Sequence, residues 1–476
     1  MTSAPARTRE HRGGPTRTVL TGAGAGLAIG VLFTAGMLAD TLPVTALTGY
    51  AGSSPLATAA QLVAAVALGG LLGLLLGERV TGSGELVLWG LLYGACWWFL
   101  GPLTLLPLAR QGSAAWDLSA VQAQLPSLFG LLLYGALTAL LYGALRRCLS
   151  PGPRWGSLAR GLVAGLLSAL VLQLVLGDAG GLHLGWLLPA GALAGLCYPL
   201  LFGTHKTGAG PGLVQGTTYG FLAWLVAIAV VPVLLGGGGA AWSRAVVTEG
   251  AATLPPYLLL GAGIALVFTW LESLGEWLFV DDITKLRSTS PGSWGIRATG
   301  YGAAAGLVGG LVFTVVMLAV NEFGQVARII GMSAPVAGFV VHLVIAQLIG
   351  ISYAVLFRRR SFDLSSGLGW GVCYGFFWWV FGNMTLLPLL TGEPLRFDAA
   401  ALDLGFPSLV GHLAYGAALG GIYFQLEERI DPWWFTRSTL EAQQAERRRT
   451  ELLGTAPALW GLIVVVVLTL PVIIGG

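Results

Sequence analysis

Apolar residues occur in runs of about 20 along the whole chain, separated by short polar or charged segments. A run of this length can cross the ~30 Å hydrocarbon core of a bilayer as an α-helix. Thirteen such runs have the approximate limits 20–39, 55–77, 86–108, 126–145, 158–177, 184–203, 212–235, 255–272, 299–320, 335–357, 367–390, 407–426 and 457–474. The pattern predicts an all-α polytopic membrane protein with about 13 transmembrane helices.

One part of this pattern occurs twice with much of its sequence preserved. Residues 88–108 read LWGLLYGACWWFLGPLTLLPL, and residues 369–389 read GWGVCYGFFWWVFGNMTLLPL. The shared Tyr, Trp and Pro positions all differ in number by the same offset, 281, which indicates a duplicated helical unit. A divergent third copy places Tyr219 and Trp224 at an offset of 126 from Tyr93 and Trp98.

The copies predict three parallel four-helix repeats followed by one C-terminal helix. Four helices is an even number, so every copy inserts in the same orientation, related by an axis along the membrane normal. A pseudo-threefold ring and a linear row of units are both consistent with this. The predicted segments are a disordered cytoplasmic tail (1–18), repeat 1 (19–147), divergent repeat 2 (155–275), repeat 3 (298–427), an inner-surface amphipathic segment (428–454) and a C-terminal transmembrane helix (455–476).

Composition and charge place these helices in a membrane with a defined orientation. The chain is 55% apolar and 10% charged, whereas soluble domains carry about 25% charged residues. With the N-terminus inside, the inner segments hold 21 Lys and Arg and the outer segments only Arg110, Arg244, Arg328 and Arg396. This asymmetry predicts a cytoplasmic N-terminus and an extracytoplasmic C-terminus. The bias to Ala, Gly, Leu and Arg favours a bacterial plasma membrane.

Small residues at a spacing of four predict close helix packing in the third helix of each unit. Gly90 and Gly94 form a G-x-x-x-G pair, and Gly371 and Gly375 repeat it. Small residues at this spacing let helix backbones approach closely in lipid. Trp89, Tyr93 and Trp97 share one side of the same helix and either pack between helices or form a wall for ligand stacking. Pro107 and Pro388 are expected to end their helices at the outer surface.

Charged residues lie almost entirely in loops or at helix ends, so a proton-coupled carrier is not favoured. The chain has no P-loop, H-E-x-x-H, G-x-S-x-G or kinase signature, and we predict that it is not an enzyme. Its four cysteines lack metal-ligand spacing, and no disulfide is expected. The predicted partner is the lipid bilayer, with a membrane partner docking through the C-terminal helix and no nucleic acid.

Two histidines and one asparagine form the candidate polar site of repeat 3. His342, Asn383 and His412 each lie five to seven residues from a proline at the outer end of their helix, about 8–10 Å deep. Thr385 is expected near the rim. The matching positions in repeat 1 are Gln61, Pro102 and Leu131, so one such site is expected per chain. Three interpretations remain open: helix–helix hydrogen bonding, a cavity lining for a solute or lipid headgroup, and ligation of a metal or haem.

The unit resembles the YagU-like bacterial inner-membrane proteins, which are small four-helix proteins of poorly defined function. The resemblance rests on His342 in the second helix, Pro388–Leu389 ending the third, and Gly411–His412–Leu413 opening the fourth. It implies an ancestral cluster of three histidines in which Asn383 replaces one histidine here. The metal is therefore unknown, and no cofactor is assigned.

Asp117 and Asp398 share the same offset of 281, and each follows an aromatic residue in an outer loop. They are read either as helix N-caps or as a charged rim around an outer mouth. Together these features predict a passive conduit or binding site for a small neutral or lipophilic solute, or a scaffold subunit. The alternative is a haem- or metal-binding redox subunit using His342 and His412.

The orientation prediction can be tested with topology reporters fused after Arg360 and after Gly476. We expect a cytoplasmic signal from the first fusion and an extracytoplasmic signal from the second, because the positive charges concentrate on one side. Identical signals from the two fusions would contradict the thirteen-helix topology.

Overall fold

The computed structural model describes residues 15–43, 47, 54–77, 80, 82–146, 149, 154–177, 184–202, 208–236, 242–279, 293–358, 360–361, 363–430 and part of 461–473. Every regular element in these residues is a helix, which confirms the all-α class. The chain divides into two compact units, Met1–Ser150 and Pro151–Gly476.

The described part of the first unit contains four long helices and several short helical segments. Its helices are α1 (Pro15–Leu38), α2 (Pro55–Leu76), α3 (Ser83–Leu100), a π-helical segment (Gly101–Leu105), α4 (Leu106–Gln111), α5 (Leu118–Ala123) and α6 (Leu125–Arg146). The long helices correspond to the first four predicted spans. Of the predicted tail 1–18, residues 1–14 lie outside the described residues, and α1 already begins at Pro15.

The described part of the second unit contains eight long helices. Its first half comprises α7 (Trp155–Leu176), α8 (Leu184–Phe202), α9 (Ala209–Leu225), a π-helical segment (Val226–Val230), α10 (Val231–Leu234), α11 (Arg244–Ala251) and α12 (Leu254–Phe279). Its second half comprises α13 (Ser293–Val320), α14 (Phe323–Ala327), a 3-10 turn (Arg328–Ile330), α15 (Pro335–Phe357), α16 (Leu364–Trp378), a π-helical segment (Trp379–Leu386), α17 (Leu387–Thr391), α18 (Ala399–Leu404) and α19 (Phe406–Ile430).

The helices agree with a polytopic membrane protein. Eleven continuous helices among the described residues are long and apolar enough to span a bilayer. The twelfth predicted span, 407–426, is the 25-residue helix α19, which is not one of these eleven. The total of thirteen stays a prediction. The inner-surface segment 428–454 lies outside the described residues except for its first three positions.

The long helices pack in groups of four with the same internal pairing. In what we call the first helix group (α1, α2, α3, α6), the first helix packs on the second, the third on the fourth, and the first also on the fourth. The second helix group (α7, α8, α9, α12) and the third helix group (α13, α15, α16, α19) show the same three pairings.

Glycines bring the paired helices into backbone contact. A Cβ atom on Gly94 would overlap the carbonyl of Leu131, and one on Gly375 would overlap the carbonyl of His412. Gly90 and Gly371 meet the carbonyls of Gly135 and Gly416 in the same way. Each of these contacts joins the third helix of a group to its fourth, so the G-x-x-x-G face lies against protein rather than lipid.

A tryptophan hydrogen bond near the end of the third helix recurs in all three groups. In each case the indole N–H of the third helix donates to the backbone carbonyl 26 residues later. The donors and acceptors are Trp98 to Gln124 (2.9 Å), Trp224 to Gly250 (3.0 Å) and Trp379 to Gly405 (3.0 Å). The offsets of 126 and 281 found in the sequence are therefore offsets between equivalent contacts in the fold.

The third helix of each group contains a π-helical segment, which was not foreseen from the sequence. The expectation that Pro107 and Pro388 end their helices is wrong, because α4 and α17 continue the helices beyond both prolines. Each proline occupies the first turn after the π-helical segment, where its missing N–H is tolerated. The Thr104 hydroxyl donates to the Phe99 carbonyl (2.8 Å), five residues back.

The described part of the C-terminal segment is helical and packs within the second unit. Ile463, Leu470 and Ile473 are buried. The Thr248 hydroxyl of α11 donates to the Ile473 carbonyl at 2.9 Å. These side chains are covered by the chain itself, and docking of a membrane partner through this helix stays a prediction.

Leucine at Gly94 or Gly375 should destabilise the protein, because the added side chain must displace the backbone of the facing helix. We expect a loss of at least ~1–3 kcal/mol in the free energy of unfolding, measured as a lower midpoint of thermal unfolding. Gly24→Leu is the control, because no atom lies within 4 Å of a Cβ built there. Equal behaviour of all three variants would show that the helix contacts contribute nothing to stability.

Candidate functional site

A cavity of about 120 Å³ lies within the third helix group. His342, Asn383 and His412, predicted from their equal depth, all line it. They are contributed by α15, by the π-helical segment Trp379–Leu386 and by α19. Most of the remaining wall is apolar and includes Phe313, Met317, Ile345, Leu386 and Tyr415.

The Phe313 ring contacts both histidine rings. Its centroid lies 5.4 Å from the ring of His342 and 4.6 Å from that of His412, in edge-to-face arrangements. Gly411 makes this contact possible, because a Cβ atom there would overlap the Phe313 ring. The two histidines therefore belong to one cluster with an aromatic ring in contact with each of them.

Each histidine is oriented by a backbone carbonyl. His342 Nε2 lies 2.9 Å from the Gly310 carbonyl oxygen, and His412 Nδ1 lies 2.8 Å from the Ser408 carbonyl oxygen. A carbonyl oxygen only accepts hydrogen bonds, so these ring nitrogens carry the protons. In the neutral tautomers, Nδ1 of His342 and Nε2 of His412 are therefore hydrogen-bond acceptors.

The π-helical segment places Asn383 at the cavity. Such segments insert one residue into a helical turn and are frequent at functional sites. The Asn383 amide has no hydrogen-bond partner among the described residues. Thr385, expected at the rim, is buried instead and does not line the cavity. Its hydroxyl donates to the Val380 carbonyl at 3.0 Å, matching the Thr104 bond in the first helix group.

Two further polar residues line the cavity and were missed in the sequence. Glu322 and Gln325 lie in the short connection between α13 and α15. Burial raises the pKa of the Glu322 carboxyl above its ordinary value. Asn321, directly before Glu322, is the residue from which the sequence could have predicted a turn here. In the structure it has a left-handed backbone (φ 56°), as does its counterpart Asp40 (φ 55°) in the first helix group. Both residues follow the first helix of their group, so the turn that positions Glu322 recurs.

Asp117 and Asp398 are N-caps rather than isolated rim charges. Asp117 accepts from the Ala120 N–H (2.9 Å), and Asp398 accepts from the Ala401 N–H (3.0 Å). A hydrogen bond from the Ser119 hydroxyl lowers the pKa of Asp117, and the Ala401 N–H lowers the pKa of Asp398. Neither residue lines the cavity of the third helix group.

The aromatic residues Trp89, Tyr93 and Trp97 pack within the first helix group. Tyr93 meets Trp97 edge-to-face at 6.2 Å, and its hydroxyl donates to the Leu68 carbonyl at 2.6 Å. All three rings belong to a hydrophobic cluster with Leu72 and Tyr142. This geometry favours the packing interpretation over a ligand-stacking wall.

The first helix group has different residues at the positions that correspond to His342, Asn383 and His412. Gln61, Pro102 and Leu131 are buried there. Only Gln61 of these three retains a polar side chain. The convergence of three polar side chains is thus specific to the third helix group in comparison with the first.

The donor set fits a metal poorly. Across the described part of the chain, no three His, Cys, Asp or Glu side chains come together as a metal-binding group. In His342 and in His412, one ring nitrogen donates a hydrogen bond to a backbone carbonyl, and the other ring nitrogen remains able to bind a ligand. The metal or haem hypothesis stays a prediction supported by two donors.

Comparison of the chain with protein-family models, curated proteins and solved structures finds no match. The resemblance to YagU-like proteins therefore stays a prediction. What the fold defines is a class: this chain is a multi-pass, all-helical integral membrane protein.

The substitution His342→Gln should cost about 1 kcal/mol of unfolding free energy or less. A glutamine amide can donate to the Gly310 carbonyl, as the His342 ring does, and Gln61 already occupies the matching position. His342→Leu, which cannot donate, should lose more, and chemical denaturation of both variants measures the difference. Equal losses would show that the carbonyl contact is unimportant.

Proposed function

We propose that this protein is a non-enzymatic protein of the bacterial plasma membrane that binds a small, largely apolar solute in the cavity of the third helix group. Binding there serves passive conduction or retention of the solute. The observation that carries the proposal is the convergence of His342, Asn383 and His412 from three elements on one cavity with apolar walls.

The position of Asn383 supports solute binding over a purely structural role for that residue. Polar side chains that only join helices would be satisfied by each other or by the neighbouring backbone. The Asn383 amide has no such partner among the described residues, although it lines the cavity. Asn383 is half-buried beside apolar walls, so a bound solute or water that completes the hydrogen bonds of its amide explains its position.

The remaining parts of the proposal concern architecture and orientation. The tryptophan bond repeated at a spacing of 26 residues supports three repeats of one fold, and we place the solute site in the third of them. The excess of Lys and Arg in alternate segments supports a cytoplasmic N-terminus.

Filling the cavity should abolish solute binding without unfolding the protein. Leu386 lines the cavity, and the larger indole of Leu386→Trp would occupy the volume that the solute needs. We expect binding of benzyl alcohol to weaken by about tenfold or more, which corresponds to a loss of at least ~1.4 kcal/mol of binding free energy. Calorimetric titration of the protein in lipid nanodiscs, with empty nanodiscs as the blank, measures this affinity.

Leu105→Trp is the matched control, because Leu105 occupies the position of the first helix group that corresponds to Leu386. It should bind benzyl alcohol as the unmodified protein does. Saturable binding that survives Leu386→Trp would place the solute elsewhere, and no saturable binding by the unmodified protein would refute the proposal.

A further inference from the structure

The polar groups around the cavity are rich in hydrogen-bond acceptors. Since Nε2 of His342 and Nδ1 of His412 donate to carbonyl groups, the second nitrogen of each neutral ring is an acceptor. Glu322 adds a carboxylate, which in its ionised form only accepts. A solute that satisfies these three groups must therefore bring donors, while the Gln325 and Asn383 amides and the Trp378 indole N–H can donate to the solute in turn.

The Glu322 carboxylate has no ion-pair or hydrogen-bond partner among the described residues. Arg328, six residues later, is already paired with Glu393 at 2.7 Å. No lysine or arginine of the described chain lines the cavity. A half-buried carboxylate that lacks a countercharge loses solvation without compensation, which is why its pKa is raised. A cationic solute would supply the missing countercharge.

The walls of the cavity suit the apolar body of such a solute. Phe313, Trp378 and Tyr415 present aromatic side chains, and Met317 and Ile345 add aliphatic surface. Aromatic faces attract ammonium groups and also pack against hydrocarbon. An apolar cavity of ~150 Å³ holds benzene, so a volume of about 120 Å³ with an open side matches a solute with one small ring or a short chain.

We infer that the solute is a small lipophilic cation, namely a protonated amine with an apolar body, and that Glu322 is its counter-ion. The ammonium group would lie by Glu322, with the neutral histidines and Asn383 as further acceptors. This inference rests on the proposed function, because it names the class of solute that the same cavity binds. Anions are disfavoured, since the only formal charge among the described lining residues is negative.

Three probes of equal ring size test the inference: benzylammonium, benzyl alcohol and benzoate. Each is titrated at pH 7 into the protein in zwitterionic lipid nanodiscs, with empty nanodiscs as the blank. Benzylammonium should bind at least about tenfold more tightly than benzyl alcohol, because its charged group makes stronger hydrogen bonds to a carboxylate than a neutral hydroxyl does. Benzoate should bind most weakly of the three.

The variant Glu322→Gln should remove the preference for benzylammonium and leave the affinity for benzyl alcohol unchanged. Glu393→Gln is the matched control, since it removes a carboxylate from the neighbouring loop that is paired with Arg328 and does not line the cavity. It should retain the preference. Binding of benzyl alcohol to Glu322→Gln shows that the variant remains folded.

The outcomes separate the two proposals. If benzyl alcohol and benzylammonium bind equally well, the cation inference is wrong and the solute cavity stands. If the preference persists in Glu322→Gln, or is lost to the same extent in Glu393→Gln, Glu322 is not the counter-ion. If none of the three probes binds saturably, both the cavity proposal and the inference fall.

Discussion

At each helix pair, a glycine of one helix lies against a backbone carbonyl of the other. Gly94 meets Leu131, Gly375 meets His412, and Gly220 meets Tyr257, so the third helix of every group is held against the fourth by its own backbone. In lipid there is no hydrophobic driving force between helices, and close packing of this kind takes its place. The same contact holds the segment of α19 that carries His412.

The π-helical segments reflect the need of backbone N–H and C=O groups for hydrogen-bond partners in an apolar environment. Each third helix bears a proline near its C-terminal end that would normally stop the helix. A wider turn precedes the proline, and in two groups a threonine hydroxyl, of Thr104 or Thr385, bonds the carbonyl five residues back. In the third helix group this wider turn carries Asn383 to the cavity. The π-helical segment is thus common to all three groups, and in the third helix group it also contributes a polar side chain to the cavity lining.

The chemical character of the cavity depends on which of its polar groups already have hydrogen-bond partners in the protein. The two histidines are oriented by carbonyls of their surroundings, whereas Asn383 and Glu322 retain unused hydrogen-bonding capacity. Fixed neutral rings beside an unpaired carboxylate make an acceptor-rich, negatively charged pocket with aromatic walls. Under the proposed function, such a pocket would discriminate between solutes by charge as well as by size.

Hydrophobic periodicity and the constant offset between the copies predicted the all-helical membrane class, the positions of the long helices and the grouping of His342, Asn383 and His412 as one candidate site. These features are local or periodic, so they are visible in a single sequence. The sequence allowed either an N-cap or a rim charge for Asp117 and Asp398, and their local hydrogen bonds in the structure decided for the N-cap. The π-helical segments, the burial of Thr385 and the approach of Glu322 to the cavity were decided only by the tertiary structure. They depend on which backbone and side-chain groups come into contact in the folded chain, and the spacing of residues along one helix does not predict those contacts.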